Sequence, residues 1–356
     1  MTRLRRRDLS ELRQIRATWD RLALPSANPF LTVAWLASWG EAFPEDDPCV
    51  FTLEDASGQT VAGACFVSPG RGRLLAAANA HTTDWDAVAA DDDARALLWR
   101  EIARLGHPRV ELRHLPASHG ESGSPQPALR DAGYRVVEQA QPASPTLELP
   151  ETFDELMRSV SRNLRSQVGR RRRALEQEGK LELRETRGGE SLERDLDSFL
   201  RVEASGWKRR SGTAILAEPA AEALYRGFAD AAASEGWLRL YLLELDGEVI
   251  AADLGCALGG RGYLVKTGFD ESYSRLSPGL VLRAEALRAS VQEGLSLYDF
   301  LGGPDPYKLR WANGSRGHLA VRAFRGPRAA VAHAWWARAR PVVRSAREQA
   351  RRLRGG

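Results

Sequence analysis

A tyrosine–lysine pair just beyond a short alternating strand is the part of this sequence best suited to chemistry. Tyr298-Asp299-Phe300-Leu301 runs into Gly302-Gly303, and Pro304 and Pro306 then lead to Tyr307, Lys308 and, three residues on, Trp311. Lys180, Lys208, Lys266 and Lys308 are the only lysines among 51 basic residues. A compact rotatable ammonium differs from a planar guanidinium fork, so a lysine kept here suits point stabilisation of negative charge. Tyr307 can act as a general acid to a leaving group, or it packs on Trp311. Asp299 is a general base, an orienter of Lys308, or a carboxylate satisfying turn N–H groups; these alternatives stay open. Around this centre stand candidates for substrate binding. Arg162 and Arg165, about one helical turn apart, fit bidentate contact with phosphate or carboxylate, or else belong to a solvated helix face. Trp207 is a candidate pocket wall, and Lys266 and Trp311 complete the set. His81 and His114 read as hydrogen-bonded loop or core residues. No Cys/His/Asp grouping has metal-ligand spacing, so no metal is expected.

The composition bounds what these residues serve. A hydrophobic fraction of 43% and a charged fraction of 28% over 356 residues describe a soluble globular chain with material for about two domains. No apolar run approaches the roughly 20 residues of a membrane span. Met1 to Asp8 is basic without an apolar core behind it, which is not a secretory signal. Cys49, Cys65 and Cys256 are odd in number and lie in apolar strand-like contexts, as reduced thiols of a cytoplasmic protein do. The net charge of +4 is modest, but arginines cluster at 158–173 and again from Arg328 to the end. Such clusters suit nucleic acid, anionic lipid, a polyphosphate, or simply solvent.

Elements that would position the chemistry are clearest in the second half. Leu238 to Leu245 and Glu248 to Leu258 form a hairpin about Asp246-Gly247, whose turn needs positive φ at both central residues. Tyr263 to Phe269 is a third strand. Ser277-Pro278-Gly279 opens a helix to about Gln292, with Pro278 in the first turn. Ser296 to Leu301 and His318 to Phe324 follow as strands. The first half repeats this order loosely: strands at 49–54, 60–68 and 73–77, a helix at 91–105, and a strand at 109–115. A short helix at 127–132 and a strand at 134–138 complete it. Pro142 to Pro150 bracket a boundary strand, Thr146 to Leu149. One long helix over 152–178 has Phe153, Leu156, Val160, Leu164, Val168 and Leu175 as its buried stripe. Helices at 192–210 and 219–235 precede the hairpin. The expected domains are 1–150, 151–327 and a basic helical tail, 328–356, docked through Trp335 and Trp336 and broken at Pro341.

In this order the pieces resemble the GNAT acyltransferases, and more specifically the acetyltransferases related to the Fem peptidyltransferases, with two GNAT-like domains in tandem. The resemblance runs over nearly 300 residues. It starts with Asn28-Pro29-Phe30-Leu31, Trp35 and Trp39, and His81-Thr82-Thr83-Asp84-Trp85. It continues through Ser161 to Arg165, Trp207, Val249 to Ala252 and Ser277-Pro278-Gly279, and ends with Asp299 to Gly303 and Tyr307 to Trp311. It implies an α/β fold of two tandem domains, each a mixed, mainly antiparallel sheet flanked by helices. It further implies acetyl-CoA or another acyl-CoA as co-substrate, held by backbone N–H groups at Ser277, Gly279, Leu280 and Val281, with Lys308 as the charge-stabilising residue. The acceptor would be an amine of a small molecule, glycan or peptide. The usual GNAT pyrophosphate loop, Gln/Arg-x-x-Gly-x-Gly/Ala, is absent, and Ser277-Pro278-Gly279-Leu280 stands in its place. A helix start still presents N–H groups to phosphate, although Pro278 lacks one. The departure suits an aminoacyl-tRNA donor of the Fem type equally well. A non-catalytic protein binding RNA or a membrane surface through its basic helix and tail is the third reading.

Overall fold

The computed structural model of the chain describes residues 2–44, 47–70, 72–118, 123–205, 212, 214–326 and 331. One element order is built twice. The first half runs β1 (Arg3–Asp8), α1 (Arg16–Ala23), α2 (Val33–Ala42), β2 (Pro48–Glu54), β3 (Thr60–Val67) and β4 (Arg73–Ala76). It continues with a two-residue β5 (Val88–Ala89), α3 (Asp92–Arg104), β6 (Arg109–Pro116), α4 (Gln126–Asp131) and β7 (Arg135–Glu148). Helices α5 (Phe153–Ser159) and α6 (Arg162–Glu178) lead to the second half. That half runs β8 (Leu181–Thr186), α7 (Leu192–Glu203), α8 (Pro219–Ser234), β9 (Leu238–Leu245), β10 (Glu248–Leu258) and β11 (Arg261–Phe269). Then come α9 (Pro278–Gln292), β12 (Leu297–Asp299), α10 (Pro306–Leu309) and β13 (Gly314–Phe324). Each half is thus strand, two helices, three strands, helix, strand, short helix, strand.

The halves meet through their last strands. The sheet order is β1-β2-β3-β4-β6-β13-β7-β12-β11-β10-β9-β8, with β5 beside β3. Strand β13 of the second half lies against β6 of the first, and β7 of the first lies against β12 of the second. The two strands also pair with each other, so the half-sheets fuse into one mixed, mainly antiparallel sheet. Only β4–β6 and β11–β12 are parallel, as crossovers through α3 and α9 require.

On one face a single core joins the halves: Trp19, Phe30, Trp35 and Trp39 from the first pack with Phe199, Tyr225 and Phe228 from the second. On the other face α3 covers β2, β3 and β6 through Trp99, Leu98 and Ile102. There α5, α6 and α9 cover the second half-sheet. Arg283 of α9 pairs with Asp253 of β10 at 2.9 Å, both almost fully buried, and fixes the helix to the strand beneath it.

Local physics accounts for the departures from the expected boundaries. The helix expected at 152–178 is two helices, because Val160 is extended and Ser161 caps α6 by accepting Leu164 N–H at 3.2 Å. The strand expected at 134–138 and the boundary strand are one 14-residue strand. Pro142 falls at the register shift opposite Arg316 and His318, where no ladder bond is asked of its missing N–H. Strands β1 and β8 lie at the sheet edges and were hidden in charged sequence. The expected helix at 192–210 ends at Glu203. Trp207 and the tail with Trp335, Trp336 and Pro341 lie outside the described residues.

Candidate active site

Strands β11 and β12 stay together for three pairs only, Arg261↔Leu297 to Tyr263↔Asp299. Then they part. Phe300 N–H donates to Pro145 O at 3.0 Å and keeps the chain with β7, and Leu301 turns at φ +52°. Strand β11 continues to Phe269 with β10 on one side and, among the described residues, no strand on the other. A wedge opens, with the 264–269 edge of β11 as one wall and Phe300–Gly303 as the other. The β10–β11 register slips between Leu254 and Gly255, so that Val265 is bulged. The bulge brings Lys266 to the α7–α8 face, where its Nζ lies 5.3 Å from the centre of the Tyr225 ring.

Helix α9 begins at the open end of this wedge. A Cβ built on Gly279 would lie 3.6 Å from Phe269 Cδ1, so the two are neighbours. Ser277 sits in the left-handed region (φ +53°), its side chain makes no cap, and no acidic residue occupies the first turn. An uncapped helix start carries the positive end of the helix dipole and suits an anion. Leu280 N–H turns back to Ser277 O at 3.0 Å. The Val281 side chain is buried in the core, so any contact it makes with a ligand is through its backbone. Arg171 of α6 donates to Arg275 O at 2.6 Å and brings a further cation beside this start.

The second wall is tied down from both sides. Asp299 is 1% exposed; its Oδ1 accepts Leu301 N–H at 2.8 Å, and its Oδ2 takes Nε and Nη2 of Arg316 at 3.0 and 2.8 Å. The other end of the Arg316 fork donates to Asp84 and, at 3.0 Å, to His318 Nε2. Lys308 is 7% exposed, and its Nζ donates to Leu301 O (2.8 Å) and Gly303 O (3.3 Å) and pairs with Asp305 (2.9 Å). Those partners match the three protons of an ammonium. Burial holds the His318 and His114 imidazoles neutral, each pushed down to about 4, with Arg316 and Arg113 respectively adding to the effect.

Across the sheet a second polar group gathers. His81 Nδ1 lies 3.0 Å from the Tyr225 hydroxyl, and His81 Nε2 lies 3.6 Å from Glu218. The phenol is buried and held protonated, so it donates to Nδ1 and leaves Nε2–H toward Glu218. Burial and then Lys266 lower the His81 pKa, so the ring is neutral at neutral pH. Phe43 stacks on it with ring centres 5.8 Å apart.

The structure therefore distributes the sequence candidates over five places. Asp299, Lys308 and Tyr307 come together at the wall of the wedge, but the first two as clamps on its backbone, not as free acid or base. Tyr307 is 42% exposed beside Lys308. Ser277, Gly279, Leu280 and Val281 lie at the start of α9. Lys266 lies on the α7–α8 face. Arg162 and Arg165 are exposed on α6, where Arg165 donates to Met157 O. Trp311 is 3% exposed in the core with Leu164, Tyr298 and Phe300, where it buttresses the wall. Sequence reasoning missed Asp84, Arg316, His318, Tyr225 and Glu218. Asp84 and His81 lie within a segment it had singled out. Arg316 is one arginine among many, and only the strand exchange reveals its neighbours. Among the described residues no group of three or more His, Cys, Asp or Glu is arranged to hold a metal ion. No helix among them is long and apolar enough to cross a membrane.

Comparison with known proteins agrees with this geometry. Residues 162–309 match the family model of an acetyltransferase (GNAT) domain, a stretch that contains α9, the wedge and the Tyr307–Lys308 segment. Among solved structures, the C-terminal domain of a putative lysylphosphatidylglycerol synthetase from Agrobacterium fabrum is 14% identical. The match covers 90% of this chain and 95% of that one, with a TM-score of 0.55. FemX is 13% identical, with 86% and 95% covered and a TM-score of 0.55. A conserved protein of unknown function from Bacteroides thetaiotaomicron is 14% identical, with 91% and 100% covered and a TM-score of 0.59. At such identities the likeness is one of fold. No curated protein sequence matches the chain.

Proposed function

We propose that the chain is an N-acyltransferase of the tandem-GNAT, Fem-related kind, moving an acyl group from acyl-CoA, in the simplest case acetyl-CoA, to an amine. One observation carries this reading: the uncapped, acid-free start of α9 stands at the mouth of the wedge where β11 and β12 part after three pairs. The helix start takes the pyrophosphate of the donor, and the pantetheine arm runs between the walls. A thioester carbonyl at the β11 edge accepts backbone N–H bonds that strengthen as its oxygen becomes an oxyanion. The amine nitrogen attacks this carbon, a C–N bond forms, and the C–S bond breaks as the thiolate leaves. The nitrogen gives its proton to solvent or a nearby base, and Tyr307 supplies one to the sulfur. The acceptor enters from the α7–α8 face, where exposed Glu218 beside neutral His81 suits a cationic amine before it loses its proton.

A second donor class is favoured by one feature of α6. Arg162, Arg165, Arg170 and Arg173 are exposed along it, which fits the backbone of an aminoacyl-tRNA. Thermal unfolding of the purified chain separates the two donors. Acetyl-CoA at 100 times its dissociation constant stabilises the fold by roughly 2.7 kcal/mol if it is the donor. Stabilisation by aminoacyl-tRNA alone, lost steeply with salt, transfers the proposal to the Fem-type reaction.

A further inference from the structure

We infer that Asp84 and Arg316 are positioning residues for the acyl-transfer wedge. Acting through Asp299, they hold the Phe300–Gly303 wall in place from the first half of the chain. The inference rests on the wedge being the acyl-transfer site. Its evidence is a continuous chain of contacts. Asp84, in the segment between β4 and β5, holds one end of the Arg316 fork. The other end of the fork engages Asp299 twice, and the free oxygen of Asp299 pins Leu301 N–H. Lys308 then holds Leu301 O and Gly303 O from the far side.

The cost of this arrangement argues that it does more than close a strand end. Leu301 has φ +52°, a region that a γ-branched aliphatic residue occupies only when its surroundings over-determine it. Both of its backbone groups are held by buried charged side chains. Asp84 and Asp299 are 4% and 1% exposed, and burying such charges is expensive unless geometry is well satisfied. The cluster is not even fully satisfied: Asp84 Oδ1 and, on β7 opposite Arg316, Ser144 Oγ are buried and take no hydrogen bond. Arg316 sits where the β13–β7 register shifts, which aims its fork across the seam between the halves. A lysine there would reach one carboxylate, not two. Strand exchange thereby gives the first half a hand on the wall of the second half's wedge.

The groups facing Asp84 are Arg316 of β13, Asp299 of β12, and Asp86 of its own segment, and His318 of β13 faces Arg316. Tyr263 of β11 faces Arg316, and His114 of β6 faces His318. Burial pushes the Asp84 carboxyl up to about 6, against the pull of Arg316 and with Asp299 and Asp86 adding to the rise. Acidification through that value therefore loosens its hold on Arg316.

Hydrogen exchange of the full chain, resolved to single amides, tests this. In Asp84→Asn, amides 300–303 should exchange at least about tenfold faster while the β9–β10 hairpin is unchanged, as local opening requires. Arg316→Lys should do the same. In the wild type, protection at 300–303, corrected for intrinsic rate, should fall as pH drops through about 6. That fall should be absent from Asp84→Asn. With acetyl-CoA and ethanolamine as probe amine, Asp84→Asn should lower kcat and leave KM for acetyl-CoA nearly unchanged. Unchanged exchange at 300–303, or faster exchange everywhere alike, overturns the inference. If Asp84→Asn does not fold, Arg316→Lys and the wild-type pH series decide it. A wild type that neither binds nor consumes acetyl-CoA, with the exchange result intact, contradicts the proposed donor and leaves the clamp standing.

Discussion

Helices α3 and α9 occupy the same place in the two halves, and their first turns are opposites. Asp91 caps α3 by accepting Ala94 N–H at 2.7 Å, and Asp92 and Asp93 add two carboxylates to that turn. The start of α9 has no side-chain cap and no acid. The strands before them differ in the same sense. Strands β4 and β6 also part after three parallel pairs, but the chain returns through the gap. Trp85, 1% exposed, donates its indole N–H to Cys65 O and its backbone N–H to His114 O. The first wedge is filled by its own chain and repels anions, and the second is open and attracts them. Under the proposed function the second half holds the site and the first half supports it, through Asp84 and His81.

The filling of the first wedge gives the largest effect. Trp85→Ala should cost about 3–5 kcal/mol of stability, as loss of a fully buried tryptophan does, read from urea unfolding. Acetyl-CoA stoichiometry should stay at one per chain, because the acids of α3 remain. A second binding event in that variant would break the contrast between the halves.

At the open wedge, Lys308→Ala should lower turnover by about two orders of magnitude, as misplacement of a wall that positions the reactants does. It also strands Leu301 O, Gly303 O and Asp305, so stability should fall by about 1–3 kcal/mol in the same unfolding assay. Lys308→Arg should restore neither, because a planar fork cannot converge on three acceptors around one point. Near-normal turnover in either variant would mean that the Phe300–Gly303 wall is not part of the site.

Acid stability should report the seam. His114 and His318 have folded pKa values of about 4, below the ordinary value of 6.5, so the unfolded chain binds more protons between those limits. Stability therefore rises with pH from about 4 to 6.5. Asp84, raised to about 6, acts in the reverse sense, but as one carboxyl against two imidazoles. His318→Gln should flatten the rise in a series of unfolding curves, and an unchanged slope would place the titration elsewhere.

The smallest effect belongs to the exposed arginines. Replacing Arg162 and Arg165 together by Gln should change stability by less than about 0.5 kcal/mol. Acetyl-CoA affinity should fall less than about threefold, since exposed charges act weakly. A large loss of aminoacyl-tRNA binding with a reduced salt slope would favour the other donor.

Much of the fold was legible because its signals are local. The Asp246-Gly247 turn between β9 and β10 and Ser277-Pro278-Gly279 before α9 each fix an element without reference to the rest. The strand exchange was not legible, because nothing in the residues of β13 says which strands it will pair with. The same gap explains the site. Lys308 and Asp299 stood out by type and spacing, and the structure places them together. Their roles depended on Arg316 and Asp84, and Asp84 lies more than 200 residues earlier in the chain. Trp311 stood out as aromatic surface beside Lys308, and its packing against Leu164 and Phe300 in the core could be read only from the structure. Edge strands β1 and β8 were not read from the sequence, because charged residues dominate both, as suits the edge of a sheet.

Calorimetric titration of acetyl-CoA into the wild-type chain and into Gly279→Asp tests the central contrast most directly. Gly279 has room for a side chain, its nearest neighbour being Phe269 Cδ1 at 3.6 Å, so the variant should fold. It gives α9 the acid that α3 already has. The wild type should bind one acetyl-CoA per chain, and Gly279→Asp should bind about tenfold or more weakly, as a like charge placed at the anion site requires. Binding that ignores Gly279→Asp, two molecules per chain, or no binding at all would contradict the account of one open wedge and one closed.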